Sequence, residues 1–577
     1  MANSQQLNER AVPVQAALAL MREGVSPKLA RILAARGLTC WEEVAGSLKQ
    51  LYHWTLLKGA AEAASIFADY IEQGRPMLVV ADYDCDGATA CAVAVRGLRA
   101  FGAQIEYVVP DRMVHGYGLT PSVVDLAFSR FPQTQLILTV DNGVASHDGV
   151  AKANELGMEV VVTDHHLPSK TRPLPDALCI VDPAQEACGF PSKALAGVGV
   201  IWYVLWALQD ELKRRGKMPA DFRVSSLLPL VAVGTVADVV PLDRNNRILV
   251  QAGLDQIRQG KGPAGIAALA LAGHARGVKL DKLRTTDIAF GIGPRINAAG
   301  RLESMARGIE CLLTDDPTEA ASYANELDSI NQLRKEIEHE TVVEAVVQAE
   351  ALIDEGAIAI VVHRPDWHAG VIGIVAGRIK ERRYRPTFVL TTDPTSGEIK
   401  GSGRSVPGFN LKDALDQVDK QAPGVMKKFG GHAMAAGVTL NPGGLDAFKA
   451  AFEAQARARL DEALLSQRID TDGALEASLM HADTALTLGQ LPWGQLFPEP
   501  VFCNEFNVLE AKLGGVRKDQ LNLVLGFEGH ELRAVRYRHE GPVPDGRLKA
   551  TYKLDTGFNK YGKPFLKLLV DQLWQLD

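Results

Sequence analysis

Acidic and imidazole side chains collect at four places in this sequence, each directly after a short apolar run. Asp82, Asp84 and Asp86 follow residues 77–81, Asp141-Asn142-Gly143 follows 136–140, Asp164-His165-His166 follows 160–163, and Asp238 follows Val236-Ala237. If those runs are strands of an open α/β sheet, residues at their carboxyl ends point into one crevice. So many carboxylates in one crevice repel one another unless a cation neutralises them. Carboxylates with one or two imidazoles suit a hard divalent ion, Mn²⁺ or Mg²⁺, better than zinc thiolate chemistry. An EF-hand reading of Asp82-x-Asp84-x-Asp86-Gly87 fails, because loop position twelve is Val93 where a bidentate Glu is required.

The elements that would position these residues are legible in the periodicity. Short β-rich runs at 77–81, 105–109, 136–140, 160–163 and 178–181 alternate with helix-like stretches such as 88–98, which predicts a parallel sheet. The residues before this block, 1–75, read as a helical entry segment. The α/β block with a helical extension spans 76–315. Asp315-Asp316-Pro317 then opens a connecting helical segment, 316–355, with an apolar stripe at Leu327, Ile330, Leu333 and Ile337. A second α/β domain is expected over 356–460. Residues 461–577, with short Val/Leu/Phe runs between glycines, read as an OB-like β-barrel. The Gly260-Lys261-Gly262-Pro263-Ala264-Gly265 run matches a dinucleotide-binding pattern, but it follows a helical segment and contains proline, so it is a turn.

Composition narrows the class. At 577 residues, 47% hydrophobic and 23% charged, the chain is several globular domains and neither a small module nor a disordered one. A net charge of -7 argues against a surface that coats nucleic acid throughout, so any polyanion site is local. The start lacks a basic-then-apolar leader, no apolar stretch reaches the ~20 residues of a membrane span, and the seven scattered cysteines form no C-x-x-C pair. A cytoplasmic protein without membrane association is expected.

Asp84-x-Asp86, Asp141-Asn142-Gly143, Asp164-His165-His166 and Val236-Ala237-Asp238 together resemble, in order, the four motifs of the DHH phosphoesterase superfamily. Residues 430–437, Gly-Gly-His-Ala-Met-Ala-Ala-Gly, resemble the signature of the DHHA1 domain that follows in one branch. With Ser402-Gly403-Arg404-Ser405 and the terminal β segment, the whole chain is similar to the bacterial single-strand-specific 5′ exonucleases of that branch. The resemblance implies two α/β domains, a two-cation site and 5′→3′ hydrolysis of single-stranded DNA to 5′-mononucleotides in repair and recombination. It implies that Asp141 bridges the cations, Asp84 serves one, and Asp86, His165 and Asp238 serve the other. Asp82 is a further ligand or a residue behind the ligands. His166 would face the scissile phosphate, and Asp164 would orient an imidazole. Two cations ~3.5–4 Å apart can generate a hydroxide and neutralise the attacking and leaving oxygens of an in-line displacement. A single-strand-binding protein and a helicase are implied partners, and a monomer is expected. Other activities in the superfamily, on short oligoribonucleotides, cyclic dinucleotides or pyrophosphate, and a non-catalytic strand-binding scaffold are the competing readings.

Strand and phosphate contacts are expected elsewhere. Arg112 follows a strand and either grips a terminal phosphate or pairs with a surface neighbour. Arg295 and Arg301 match the loop lining the strand's path in the family, with Asn297 as a helix cap in the alternative. Ser402 and Arg404 lie beside glycines that permit close backbone approach, and Gly431 and His432 form either a tight turn or a phosphate contact. From Lys512 onward twelve Lys/Arg stand against eight Asp/Glu, interleaved with Tyr537, Tyr552, Phe558, Tyr561 and Phe565. These aromatics fit a base-stacking face or the core of the barrel.

Overall fold

The computed structural model describes residues 5–44, 46–169, 172–272, 280–515, 518–559, 561 and 563–576, the side chains of Arg112, Met113 and Phe558 excepted. Two compact units emerge. One comprises Met1–Asn8 with Ser329–Asp470, the other Glu9–Asp328 with Thr471–Asp577.

The chain opens on a strand, β1 (Gln5–Glu9), before helices at Val14–Arg22, Pro27–Ala34 and Ala60–Gln73. The entry segment is therefore not helical throughout. In the larger unit, β2 (Met77–Ala81), β3 (Ile105–Val108), β4 (Leu136–Val140), β5 (Glu159–Thr163) and β6 (Cys179–Val181) form a parallel sheet in the order β3-β2-β4-β5-β6. Every residue of β2 and β4 is buried, as expected of strands covered on both faces. The register matters most. Ala81 pairs with Val140, Val140 with Thr163, and Thr163 with Val181, so four strands end in one row. The next residues, Asp82, Asp141, Asp164 and Asp182, therefore emerge side by side.

Helix α1 (Cys85–Ala100) begins directly after β2, with Asp84 as its N-cap accepting from the backbone N–H of Asp86 and Gly87. A short helix, α2 (Arg112–His115), follows β3. Helices α3 (Gly197–Arg214) and α4 (Leu228–Ala237) pack on α1, and the buried face of the sheet joins them in one core. Asp238 caps the C-terminus of α4 and follows no strand. Residues 228–237 are apolar on all sides, a pattern from which helix and buried strand cannot be told apart. Helix α5 (Gly293–Leu302) follows an irregular turn of helix, and α6 (Pro317–Asp354) begins where the proline signal put it. Of the expected stripe, Leu327 is buried and Leu333 is 48% exposed, so the seam is interrupted.

In the smaller unit, β7 (Ile360–His363), helix α7 (Ile372–Arg383), β8 (Thr387–Thr392), β9 (Ile399–Arg404), β10 (Met426–Gly431) and β11 (Ala435–Leu440) build a mixed sheet ordered β10-β11-β9-β8-β7. β12 (Gln467–Thr471) pairs with β1.

The larger unit ends in a closed barrel of β13 (Phe502–Gly514), β14 (Gln520–Phe527), β15 (His530–Arg536), β16 (Arg547–Phe558) and β17 (Pro564–Leu576), ordered β13-β14-β15-β17-β16. Within this unit, Arg284 Nη1 reaches Asp555 Oδ1 of β16 at 2.9 Å while Lys567 of β17 holds Oδ2 at 2.7 Å. The Arg36 guanidinium grips the carboxylate of Asp472 with two nitrogens, at 2.7 and 3.0 Å, and both side chains are almost fully buried. The barrel aromatics divide. Tyr552 is fully buried and donates to Asn504 Oδ1, so it is core. Tyr537 and Tyr561 are exposed, and Phe565 lies beneath Arg533.

Candidate metal centre and phosphate-binding residues

Seven of the strand-end and helix-end residues converge in the larger unit. The donor atoms of Asp82, Asp84 and Asp141 lie within 4.8 Å of one another, as do those of Asp86, His165 and Asp238, and those of Asp141, His165 and His166. His165 Nε2 stands 3.0 Å from Asp141 Oδ1, 3.7 Å from Asp238 Oδ2 and 3.9 Å from Asp86 Oδ2. Asp141 and His165 thus belong to two groups each, at the junction between one acidic set and the other.

The backbone around these groups leaves little freedom. Asp141 adopts φ 61°, the left-handed region that Asp and Asn tolerate better than most residues, and Val239, next to Asp238, adopts φ 62°, where a β-branched residue is strained. Asp86 is fixed by the first turn of α3, whose Gly197 and Val198 N–H donate to Oδ2 at 2.6 Å and Oδ1 at 3.0 Å. A Cβ at Gly197 would lie 2.6 Å from the Asp141 Cβ, so the glycine is what lets the helix end approach. Helix α5 buttresses the other side. Asn297 Oδ1 accepts the N–H of Cys85 at 2.8 Å, and a Cβ at Gly300 would lie 1.9 Å from the Tyr83 carbonyl oxygen.

The electrostatics fits the site for a cation. Burial and then the neighbouring Asp84 push Asp86 up to about 7, and burial with the surrounding carboxylates holds Asp141 and Asp238 well above the usual range. Burial and the adjacent His166 push His165 down to about 4, which leaves it neutral and able to donate a lone pair. Burial opposes charge on His166, but its Nδ1 lies 2.7 Å from Asp164 Oδ1, and that partner carries it up to about 9. Buried carboxylates that resist ionisation, a neutral imidazole, and an Asp141 Oδ1 that accepts no hydrogen bond are the donor set a divalent cation completes.

Asp164 also accepts the N–H of His165, His166 and Val144, so its carboxylate orders the whole His165-His166 turn. The imidazole it touches is that of His166. Three residues escape the motif reading. Tyr117 places its hydroxyl 3.1 Å from His166 Nε2, Asn297 holds the Asp84–Asp86 turn, and buried Asp182 extends the row of strand-end acids.

Arg295 departs from expectation. Arg295 is 3% exposed, its Nη2 2.9 Å from Asp328 Oδ1 and its Nη1 bonded to the Gly291 carbonyl. It fastens α5 internally instead of facing a strand, because Asp328 of α6 meets it there. Arg301 is half-buried in the last turn of α5, next to Gly300 and its contact with Tyr83. Arg112 starts α2, and its side chain lies outside the described residues. In the smaller unit, Ser402 and Arg404 of β9 both face the start of α7: a Cβ at Gly373 would lie 3.5 Å from Ser402 Oγ and 3.2 Å from Arg404 Nη2. Gly431, at φ 138°, ends β10, and a Cβ there would meet the Ala435 carbonyl at 2.4 Å, so this glycine makes a tight turn. His432 follows it on the surface, and Ala435 pairs with Arg404 across the sheet.

Comparison with known proteins matches both α/β domains and most of the chain. The N-terminal domain of the DHH family matches residues 76–235, and the DHHA1 domain matches 354–458. A Salmonella typhimurium protein named single-stranded-DNA-specific exonuclease RecJ is 42% identical over 564 residues, 95% of this chain and 96% of its own. The chain belongs to the RecJ family. Among solved structures, RecJ of Thermus thermophilus in complex with Mn²⁺ superposes with a TM-score of 0.81 at 30% identity, covering 100% of this chain and 80% of that one. The same protein in complex with Mg²⁺ gives 0.75 at 29% identity, covering 100% and 79%. Among the described residues no helix is long and apolar enough to cross a membrane.

Proposed function

We propose that this chain is a single-stranded-DNA-specific exonuclease that removes 5′-mononucleotides in the 5′→3′ direction with two divalent cations, Mn²⁺ or Mg²⁺. One observation carries the reading: Asp82 and Asp84 on one side and Asp86 and Asp238 on the other meet at Asp141 and His165. When bound, the ions supply a hydroxide and neutralise the attacking and leaving oxygens. Asp141 would be shared by the two ions, Asp82 and Asp84 would help hold one, and Asp86, His165 and Asp238 would hold the other. His166, charged at neutral pH through Asp164, faces the scissile phosphoryl group as a cation.

Ser402 and Arg404 at the start of α7, with His432 at the adjacent hairpin tip, hold the 5′-terminal phosphate. Arg112 and Arg301 contact the strand. Exposed Tyr537 and Tyr561 and the basic residues around them make the barrel an OB-like strand-binding surface. Partnership with a single-strand-binding protein and a helicase in repair and recombination, a monomeric state and a cytoplasmic location belong to the same reading. Domain limits at 1–75, 76–315, 316–355, 356–460 and 461–577 go with it.

The test is digestion of a single-stranded DNA oligonucleotide with Mn²⁺ or Mg²⁺, one copy blocked at the 5′ end and one at the 3′ end. Protection by the 5′ block alone is expected. Equal degradation of both copies points to 3′ entry or internal cutting, and no degradation of either moves the reading to small phosphodiesters or a binding scaffold.

A further inference from the structure

Tyr117 belongs to none of the four motifs, yet it touches the site directly. Its hydroxyl lies 3.1 Å from Nε2 and 3.4 Å from Nδ1 of His166. Nδ1 is engaged by Asp164 Oδ1 at 2.7 Å, so Nε2 is the atom left for the phenol. The imidazole is thereby held on both nitrogens, one by a buried carboxylate and one by a phenol.

The loop that carries Tyr117 is built to deliver it. Gly116 and Gly118 flank it at φ 78° and 75°, and the turn is pinned where the Leu119 N–H donates to Ser146 Oγ at 3.1 Å. Ser146 closes the turn that starts at Gly143, two residues after Asp141. The same stretch of chain therefore sets Asp141 and anchors the loop of Tyr117. On its other flank the phenol ring meets Tyr83 edge to face, with centroids 6.1 Å apart, and Tyr83 sits between Asp82 and Asp84. Half of Tyr117 is still exposed, so a substrate can reach the pair it forms with His166.

We propose that Tyr117 is a positioning residue: its hydroxyl fixes the His166 ring in the orientation that meets the scissile phosphoryl group. A ring anchored only at Nδ1 can tilt about that single hydrogen bond, and a second anchor removes the tilt before substrate arrives. The inference rests on the proposed role of His166 in phosphodiester hydrolysis. It assigns no metal contact to Tyr117.

The experiment uses the full chain with Mn²⁺ and a 5′-phosphorylated single-stranded oligonucleotide, comparing Tyr117→Phe with the parent. Phe keeps the ring and its contact with Tyr83 while removing the hydroxyl. Expected is a fall in kcat of ~10-fold or more, a part of the ~10²–10³ that one positioned charge-stabilising group contributes. KM, Mn²⁺ affinity by electron paramagnetic resonance, and Tm should stay within experimental error of the parent. In a His166→Ala background, followed in single turnover with enzyme in excess, Tyr117→Phe should cost nothing more. Parental kcat in Tyr117→Phe, an equal loss in both backgrounds, or weakened Mn²⁺ binding would each overturn the proposal. A parent that hydrolyses no single-stranded DNA removes the functional reading and this inference together, whereas an active parent with an unaffected variant removes only the inference.

Discussion

His165 Nε2 and Asp141 Oδ1 stand 3.0 Å apart, and Asp141 holds its place in a left-handed backbone conformation at φ 61°. Asn is the substitution this backbone accepts most easily, since it visits the left-handed region as readily as Asp does. Asp141→Asn should therefore keep the Tm near that of the parent while abolishing hydrolysis and weakening Mn²⁺ binding. Near-normal turnover by that variant with metal present would sink the assignment of a bridging carboxylate.

The raised carboxyls give cation binding a pH dependence. Asp86 titrates at about 7 in the metal-free fold against about 4 unfolded, so the fold holds its proton in between and loses that stabilisation as pH rises through 7. A cation must displace the proton, and its binding strengthens over the same interval. The gain in Tm on adding Mn²⁺ should grow from pH 5 to pH 8. A gain that is flat or shrinks with pH would show that these carboxyls do not bind the ion.

Gly300 is in near contact with the Tyr83 carbonyl, the residue between two of the acids. A methyl group there must push α5 away, which costs ~1–3 kcal/mol by overpacking. Because Asn297 of the same helix holds the Cys85 N–H, Gly300→Ala should weaken Mn²⁺ binding as well as lower Tm. Gly377→Ala, where a Cβ meets nothing within 4 Å, is the control expected to change neither.

Arg404 tests the proposed grip on the 5′ end. Arg404→Ala should raise KM by ~10-fold for a 5′-phosphorylated strand, the worth of one charge-assisted contact, and much less for a 5′-hydroxyl strand. Equal effects on the two substrates would remove Arg404 from phosphate recognition.

Truncation after about residue 469 is a poor probe of strand binding, since it strips Asp472 from Arg36 and Asp555 from Arg284. Breaking a buried pair by removing one partner costs ~3–5 kcal/mol. Asp472→Ala should accordingly lower Tm sharply in thermal unfolding. Replacing exposed Tyr537 and Tyr561 by Ala should instead leave Tm unchanged and weaken single-strand affinity, read by fluorescence anisotropy across salt concentrations.

The acids at 82, 141 and 164 were legible in sequence because short apolar runs before acidic residues mark the ends of buried parallel strands, and their register follows from the parallel pairing. Asp238 was legible as a residue but not as a helix end, since 228–237 carries no amphipathic period. Tyr117 and Asn297 were not legible. Their partners lie 49 and 212 residues away, and a lone Tyr or Asn carries no local trace of such a contact. Arg295 shows the converse: a basic residue in a suggestive loop that Asp328 claims for the interior.

Asp555 accepts Arg284 on one oxygen and Lys567 on the other, so two barrel strands and the chain leading into α5 share one carboxylate. Asn297 and Gly300 of α5 then bear on the turn that carries Asp82, Asp84 and Asp86. The barrel is thus a fixed post and not a bead on a tether. A strand held on it would meet the proposed metal ligands at a constant number of nucleotides, measured by the scaffold like marks on a ruler.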